Sequence, residues 1–335
     1  MNRNYSLDSL RSIAALLVVI LHIASGYVLN GIYTNNFGTD FVIANYINSF
    51  TRICVPLFVL LSGRFIIEKE VPLKEAYSNL LKRIIKPLLF WNIFYFAYTL
   101  LANRYFNGTF NLSAMLSYAT NGQCFYHLWY LTMSVGLYLL APFLQRFLKD
   151  KSPLQIGLIV AIFLCIGMGI DFAENRYSFK LFFAFNFVKY IGYLIAGYAL
   201  IHVRKINRIL LLSTFTIMSI AIAKVSAITV LHYGNLYAYD YLSPFVVIAA
   251  VSIYTLFIQQ EWKENLLSKI APYTFALYLI HALPLDIINR YLRLYPSAMM
   301  NSVLTGFILK LLTVLVLSIP IIWVFKKSKY LKELC

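Results

Sequence analysis

The sequence predicts an all-α, polytopic membrane protein with about ten transmembrane helices and both termini in the cytoplasm. Of its 335 residues, 61% are hydrophobic, 17% are aromatic and only 13% are charged. A soluble domain carries roughly a quarter charged residues, so these charges are too few to cover a soluble surface. The mean hydropathy of +0.72 agrees. No linker divides the chain, which predicts a single transmembrane domain over residues 1–335.

Ten stretches are long and apolar enough to cross a bilayer, which needs about 20 residues per helix. Helices are expected because backbone polar groups within lipid must be satisfied inside the chain. The fifth stretch is the shortest, and we expect it to be half-buried or re-entrant. The predicted spans are residues 7–29, 45–67, 84–103, 124–147, 154–170, 181–202, 207–231, 241–260, 268–290 and 302–325.

The formal net charge of +16 is distributed as expected for loops at the two faces of a membrane. Lys and Arg residues cluster in every second loop, starting with residues 69–86 and ending after the last span. This positive-inside bias places both termini in the cytoplasm. This bias accounts for the excess positive charge. The expected partners are therefore membrane lipids and not nucleic acid.

The four cysteines are scattered along the chain and form no C-x-x-C pair. They predict neither a disulfide framework nor a metal site. The first apolar run is long and lacks a cleavage site of small residues, so we interpret it as a retained span.

Two ionisable residues share one face of the first span. Arg11 and His22 are eleven residues apart, which is roughly three helical turns plus 20°. Arg11 is expected near the cytoplasmic surface and His22 roughly 16 Å deeper, near the middle of the bilayer. Ionisable residues inside a span usually face a cavity or a partner, which favours a functional pair. The alternative is that Arg11 extends to the interface and His22 hydrogen-bonds a neighbouring helix.

Three cations precede the third span. Lys82, Arg83 and Lys86 lie within five residues of one another. Such a cluster can clamp a polyphosphate. It can equally be a topological anchor at the membrane surface.

Further polar residues lie inside other spans. Arg52 stands among apolar residues in the outer third of the second span. Gly63, later in the same span, allows close approach of a neighbouring helix. His281 in the ninth span lies roughly 20 Å from the cytoplasmic end, a depth similar to that of His22. The two histidines could therefore flank one cavity. Asp286 is expected to pair with Arg290, one turn later, in a structural role.

The fourth span begins with His127, Trp129 and Tyr130. Aromatic residues at this position are usually interfacial belt residues, although they also stack on sugar rings. Lys189, Lys224 and Lys310 lie in the outer halves of their spans. They are expected to extend outward to the interface, with attraction of an anionic acceptor as the alternative.

Together these residues resemble acyltransferase family 3, the bacterial integral-membrane acyltransferases, along essentially the whole chain. Within the family they are most similar to the short O-acetyltransferases of surface polysaccharides such as O-antigen, a part of lipopolysaccharide. The resemblance is carried by residues 7–11 with the eleven-residue step to His22, by residues 52–58 and 61–63, and by residues 127–131 and 278–281.

The resemblance implies a multi-pass protein of the bacterial inner membrane that moves an acetyl group from cytoplasmic acetyl-CoA to a sugar hydroxyl. The acceptor would be a cell-surface polysaccharide or its lipid-linked precursor. Arg11 and His22 would be the essential pair, and Lys82, Arg83 and Lys86 would meet the CoA phosphates together with Arg11. Many members of the family have an arginine in place of Lys86; lysine keeps the charge but lacks the bidentate fork.

The resulting hypothesis makes His22 a general base, because burial in a membrane favours its neutral imidazole. His281 or Arg52 would stabilise the oxyanion, and Arg52, His127, Trp129 and Tyr130 would contact the acceptor. An acyl-histidine relay is an alternative, and no metal is required. A transporter or flippase of a lipid-linked sugar or small solute is the rival class. An assembly subunit without chemistry is a third.

Overall fold

The computed structural model describes residues 3–108, 112–113, 116, 124–177, 180–294 and 303–335, and this part of the chain contains helices and no strand. The α-helices are α1 (Tyr5–Tyr33), α2 (Thr39–Thr51), α3 (Cys54–Ile67), α4 (Leu73–Leu80), α5 (Lys86–Asn107), α6 (Trp129–Leu148), α7 (Pro153–Tyr177), α8 (Ile191–Ala199), α9 (Arg208–Tyr233), α10 (Pro244–Ile258), α11 (Leu266–Ile270), α12 (Thr274–Ile280), α13 (Ala282–Leu294) and α14 (Val303–Lys327).

Shorter helical segments join these helices. A π-helical turn lies between α4 and α5, and the remaining segments are 3₁₀ helices. They are Leu81–Ile85 (π), and Phe183–Tyr190, Leu200–His202, Tyr237–Tyr239, Ala271–Tyr273 and Lys332–Leu334 (3₁₀).

The number of spans agrees with the predicted polytopic fold. Nine helical segments of the described chain are long and apolar enough to cross a membrane. Leu266–Ile280 and Ala282–Leu292, which are bent by 45° relative to each other, make a tenth if the pair is one broken span. With ten spans the two termini would share a face, which is what the loop charges predict.

The prediction of a half-buried or re-entrant fifth span is wrong. Helix α7 has 25 residues and is a full-length span. The hydropathy of the sequence falls near Asp171 and Glu174, but the helix continues because both carboxylates pair with Lys189 inside the protein.

Two predicted spans are interrupted along their length. Helix α2 ends and α3 begins around Arg52, four residues before Pro56. Helix α12 ends at Ile280, four residues before Pro284. A proline lacks the N–H that would bond the carbonyl four residues earlier, and its ring clashes with that carbonyl. The two prolines therefore account for the interruptions, which lie at Arg52 and at His281.

The π-helical turn has the same physical cause. Leu81–Ile85 forms this wider turn immediately before Pro87, which is the second residue of α5. Pro87 lies four residues after Arg83, so the carbonyl of Arg83 also loses its ordinary helical donor. The cationic residues 82 and 83 consequently lie on irregular helix rather than on the regular start of a span.

Helix α1 is held at its cytoplasmic end by small hydroxyl side chains. Ser12 donates a hydrogen bond to the carbonyl of Leu267 (2.7 Å), and Ser9 donates to Asn265 Oδ1 (3.1 Å). Ser9 and Ser12 are completely buried and three residues apart, which puts them on one side of the helix. These bonds fix α1 against the segment that leads into α11.

Helices α3 and α8 approach each other at two glycines. A Cβ atom on Gly63 would lie 1.8 Å from the carbonyl oxygen of Leu194, and one on Gly197 would lie 1.9 Å from that of Leu60. Both distances are far inside van der Waals contact. The close helix approach predicted at Gly63 is confirmed.

We predict that Gly63→Ala lowers the apparent midpoint of thermal unfolding, because the new methyl group collides with rigid backbone and forces α3 from α8. The expected loss in the free energy of unfolding is about 1–3 kcal/mol or more. Gly157→Ala on α7 is the matched control, since a Cβ atom there meets nothing within 4 Å. Equal midpoints for the two variants would contradict the close α3–α8 contact.

Candidate active site

Three histidines converge inside the bundle. His22 comes from the middle of α1, His127 lies two residues before α6, and His281 stands at the break between α12 and α13. The ring centroids of His22 and His281 are 5.4 Å apart, and those of His127 and His281 are also 5.4 Å apart. The structure thus brings together the two histidines expected at one depth and adds a third.

The tautomer of His281 follows from its neighbours. Its Nδ1 atom lies 2.8 Å from the carbonyl oxygen of Tyr278 and 3.1 Å from that of Leu277. A carbonyl only accepts hydrogen bonds, so Nδ1 carries the hydrogen in the neutral ring. The Nε2 atom is buried without a hydrogen-bond partner. It therefore presents a free lone pair rather than a donor.

His127 has the same property with its nitrogens exchanged. Its Nε2 atom lies 3.3 Å from the carbonyl of Leu279, and its Nδ1 atom is buried without a hydrogen-bond partner. The hydroxyl of Tyr278 donates to the backbone carbonyl of His127 (2.5 Å) and fixes this segment against α12. Each of these two neighbouring rings consequently has one buried nitrogen without a hydrogen-bond partner.

The His22 ring packs between aromatic rings rather than in a hydrogen-bond network. Its centroid is 4.8 Å from the ring of Tyr126, in an edge-to-face arrangement, and the His281 ring stacks on it. No residue in the described ranges forms a hydrogen bond with His22. The side chain lines a cavity of about 20 Å³, which is large enough for a water molecule or a small reacting group.

The aromatic residues before and at the start of α6 line the same cavity. Trp129 and Tyr130 share it with His22 and His127. The expectation of an interfacial belt is therefore wrong for Trp129 and Tyr130, since both face the interior of the bundle. Sequence alone could not distinguish these positions, because a belt residue and a cavity residue have the same composition signal.

Arg52 lies between the histidines and the outer side of the bundle. Its Nε atom donates to Asn48 Oδ1 (2.7 Å), and its Cζ atom lies 4.3 Å from the ring centroid of Tyr239. Arg52 is also close enough to His22 to act on it electrostatically. A half-buried guanidinium at this place can stabilise negative charge that develops near His22.

Arg11 lies eleven residues before His22 on α1, towards the face that the loop charges predict to be cytoplasmic. Its Nη1 atom is 3.9 Å from Asp8, whereas Arg3 binds the same carboxylate at 2.7 Å. Arg3 is thus the main partner of Asp8, and the Arg11 guanidinium remains available. Arg11 acts electrostatically on Tyr130, which lines the His22 cavity. Arg11 and His22 therefore lie towards the same part of α6.

The three cations before α5 have different surroundings. Lys86 pairs with Glu333 of the C-terminal segment (2.5 Å), and this contact lowers the pKa of the Glu333 carboxyl. Lys82 and Arg83 are exposed. Arg83 and Arg11 both act electrostatically on Tyr138 of α6. The structure accordingly brings Arg83 and Arg11 to a common neighbour and gives Lys86 a competing carboxylate.

The C-terminal segment is fixed over the start of α5. The indole Nε1 atom of Trp91 donates to the carbonyl of Leu334 (2.8 Å), and Lys326 Nζ donates to that of Cys335 (3.1 Å). These contacts hold Glu333 next to Lys86.

The predicted pair of Asp286 and Arg290 is confirmed. Arg290 Nε lies 2.5 Å from Asp286 Oδ2, and Tyr98 donates to the same oxygen (2.8 Å).

The prediction that Lys189 extends outward to the interface is wrong. Its side chain is only 9% exposed and pairs with Asp171 and Glu174.

Metal ligation finds no support in the geometry of the described ranges. Within them, no group of three or more His, Cys, Asp or Glu side chains is arranged to hold a metal ion.

The buried Tyr95 hydroxyl stabilises the broken ninth span. It donates to the carbonyl of Leu279 (2.7 Å) and lies next to the backbone N–H of Leu283. A side chain inserted into the helical hydrogen-bond ladder is a recognised cause of a kink. Sequence reasoning missed this break, and the signal for it was Pro284.

The all-α fold of the described chain, with nine candidate spans or ten if the bent pair is one span, is that of a polytopic membrane protein, and three histidines meet in its interior. A family model described as an acyltransferase domain matches residues 4–327. The chain therefore belongs to acyltransferase family 3. A search of curated proteins and a search of solved structures each found no match. Membership of this family favours an enzyme over the rival class, a transporter or flippase.

We predict that Tyr95→Phe lowers the apparent free energy of unfolding by about 0.5–1.5 kcal/mol, because it removes a buried hydroxyl from the carbonyl of Leu279. The matched control is Tyr105→Phe on the same helix, where the side chain is 83% exposed. Thermal unfolding in nanodiscs measures both. A Tyr95→Phe protein as stable as the control would contradict a role for this hydroxyl at the break.

Proposed function

We propose that this acyltransferase is an O-acetyltransferase of the bacterial inner membrane. It transfers the acetyl group of cytoplasmic acetyl-CoA to a sugar hydroxyl of a surface polysaccharide or its lipid-linked precursor. The observation that carries the proposal is the His22 imidazole, which lines an internal cavity and stacks on His281, with Arg11 on the same helix towards the predicted cytoplasmic face. The resemblance to short O-acetyltransferases of surface polysaccharides supports the choice of donor and acceptor.

The donor enters from the cytoplasmic side, where Arg83 and Arg11 bind the CoA phosphates. Arginine suits this task because its planar fork binds phosphate oxygens in a bidentate manner. Both guanidinium groups act electrostatically on Tyr138, which lies in the middle of α6. The pantetheine arm then leads the thioester towards His22.

His22 acts as a general base. Its neutral imidazole takes the proton from the sugar hydroxyl while the hydroxyl oxygen attacks the thioester carbonyl. The tetrahedral intermediate collapses when the C–S bond breaks, and the CoA thiolate leaves with the electron pair. The proton held by His22 neutralises the thiolate, so the base is regenerated. Arg52 stabilises the oxyanion, since its permanent positive charge acts electrostatically on the position of His22.

The geometry makes Arg52 a better oxyanion partner than His281. The neutral His281 ring uses its only N–H on backbone carbonyls and presents a lone pair at Nε2. A lone pair repels an oxyanion but accepts a proton. We therefore place His281 as an acceptor for a hydroxyl or for water beside His22. His127, with its free Nδ1, contributes a second acceptor.

We predict that His22→Gln lowers the rate of acetyl transfer by about 10²–10⁴-fold, the range for loss of a general base. Transfer of label from ¹⁴C-acetyl-CoA to polysaccharide in membrane vesicles measures the rate. His202→Gln is the control, because His202 is exposed at the end of its span. Transfer of label by the His22→Gln protein at the parental rate would contradict the role of His22 as a general base.

We predict opposite effects on the KM for acetyl-CoA from two charge changes. Arg83→Glu raises KM at least tenfold, because it puts a carboxylate where phosphate binds. Glu333→Gln lowers KM about two- to threefold, because loss of the carboxylate frees Lys86 for the CoA phosphates. The effect is small since an exposed ion pair contributes little free energy.

Lys151→Glu and Glu75→Gln are the matched controls, as both are exposed charges of predicted cytoplasmic segments. Their KM values should equal that of the parent. An unchanged KM for Arg83→Glu would remove this patch from the donor site. A raised KM for Glu333→Gln would show that the C-terminal carboxylate assists the donor rather than competing with it.

A further inference from the structure

A second cavity, of about 310 Å³, lies at the predicted outer ends of the spans and takes no part in the chemistry above. Its walls come from the end of α7, from the 3₁₀ segment Phe183–Tyr190 and from residues just before α10. Its volume is at the lower end of the range for small-molecule sites, about 300–1,000 Å³. The cavity is lined by Trp129, Asp171, Glu174, Asn175, Lys180, Asn186, Lys189, Tyr190, Asp240 and Tyr241.

The floor of this outer cavity carries buried charges. Lys189 Nζ lies 2.6 Å from Glu174 Oε2 and 3.5 Å from Asp171 Oδ1. The side chains of Lys189, Asp171 and Glu174 are 9%, 10% and 16% exposed, respectively. Burying charges is costly even when they are paired, and a hydrophobic replacement is often as stable. The cluster therefore points to a use other than stability.

One polar atom of this cluster lacks a partner. Asp171 Oδ2 is buried without a hydrogen bond, in a residue that is 7% exposed and lines the cavity. An unpaired buried acceptor costs about 1–3 kcal/mol, and more when it is charged. A ligand that donates a hydroxyl or amide hydrogen would satisfy this oxygen.

The mouth of the cavity offers amide and carboxylate groups. Asn175 is exposed and donates to Asp240 Oδ2 (2.7 Å). Carboxylates that accept from hydroxyls, together with amides that donate and accept, are the groups that bind a polyol. An apolar ligand would leave Asp171 Oδ2 without a partner.

Trp129 and Tyr241 form the wall between the outer cavity and the His22 cavity, because both residues line both spaces. Their rings are stacked, with centroids 5.7 Å apart and an interplanar angle of 21°. A flat aromatic wall packs well against the apolar face of a sugar ring while the edge of the ring binds polar groups.

We propose that the outer cavity binds a neutral sugar unit of the acceptor and presents its hydroxyl past Trp129 and Tyr241 to His22. Asp171 accepts a hydrogen bond from a second hydroxyl of that unit, and Lys189 holds Asp171 in place. The proposal rests on the O-acetyltransferase function and adds to it that the acceptor enters from the outer face.

The test measures sugar binding separately from acetyl transfer. The protein in nanodiscs is titrated with decyl β-glucoside and decyl β-galactoside, and the rise in unfolding midpoint gives the Kd of each. Asp171→Asn should weaken binding of at least one glycoside about tenfold, and Asn175→Ala should weaken it about threefold. Asp40→Asn, an exposed carboxylate of a predicted outer loop, should leave the Kd unchanged.

Decylphosphocholine, which has the same chain without a sugar, controls for binding of the chain alone. The proposal is overturned if neither glycoside binds in an Asp171-dependent manner, or if decylphosphocholine shows the same dependence on Asp171. If glycoside binding depends on Asp171 while the wild-type protein transfers no label from acetyl-CoA, the sugar site stands and the acetyltransferase function falls.

Discussion

Lipid cannot hydrogen-bond a polar group, so every polar atom at the level of the bilayer must find its partner inside the protein. Three prolines create such atoms by removing a helical donor one turn earlier in the chain. The breaks at Arg52 and at His281 and the π-helical turn at Arg83 all lie one turn before a proline. Near the break at His281, side chains bond carbonyls of the last turn of α12: Tyr95 donates to that of Leu279, and the His281 ring donates to that of Tyr278. The broken helices thus fix the side chains of the candidate active site.

This arrangement explains why the histidines are oriented rather than merely buried. Each of His127 and His281 has one nitrogen near a backbone carbonyl and leaves the other buried without a partner. Unpartnered buried acceptors are rare in native proteins and call for a functional explanation. The His281 ring stacks on that of His22, and Arg52 acts electrostatically on His22. In the proposed function, these acceptors suit a hydroxyl that must lose its proton.

Sequence reasoning predicted the long-range features of the fold. Hydropathy identified the spans, because it depends on residue composition within about 20 residues, and the loop charges predict that the two termini share a face. The convergence of His22 and His281 followed from their similar depth. The family motifs then indicated the residues around them, and the match over residues 4–327 established the family.

What escaped the sequence depends on contacts between distant segments. Lys189 was expected to extend outward, and nothing in its own span indicates Asp171 and Glu174, which come from α7. Trp129 and Tyr130 were expected at the interface, since residue type does not show whether a ring faces lipid or a cavity. The pairing of Lys86 with Glu333 joins residues 247 positions apart. Such pairs are set by the tertiary fold.

The central claim is that His22 lies between a cytoplasmic donor site and an outer acceptor site. A structure of the protein with a non-reactive thioether analogue of acetyl-CoA tests it most directly. The account predicts the acyl carbonyl close to His22, leaving room for a hydroxyl at about 3–3.5 Å from the carbonyl carbon. The CoA phosphates should contact Arg83 and Arg11. An acyl group bound away from the histidine cluster, or phosphates bound at the outer face, would contradict the account.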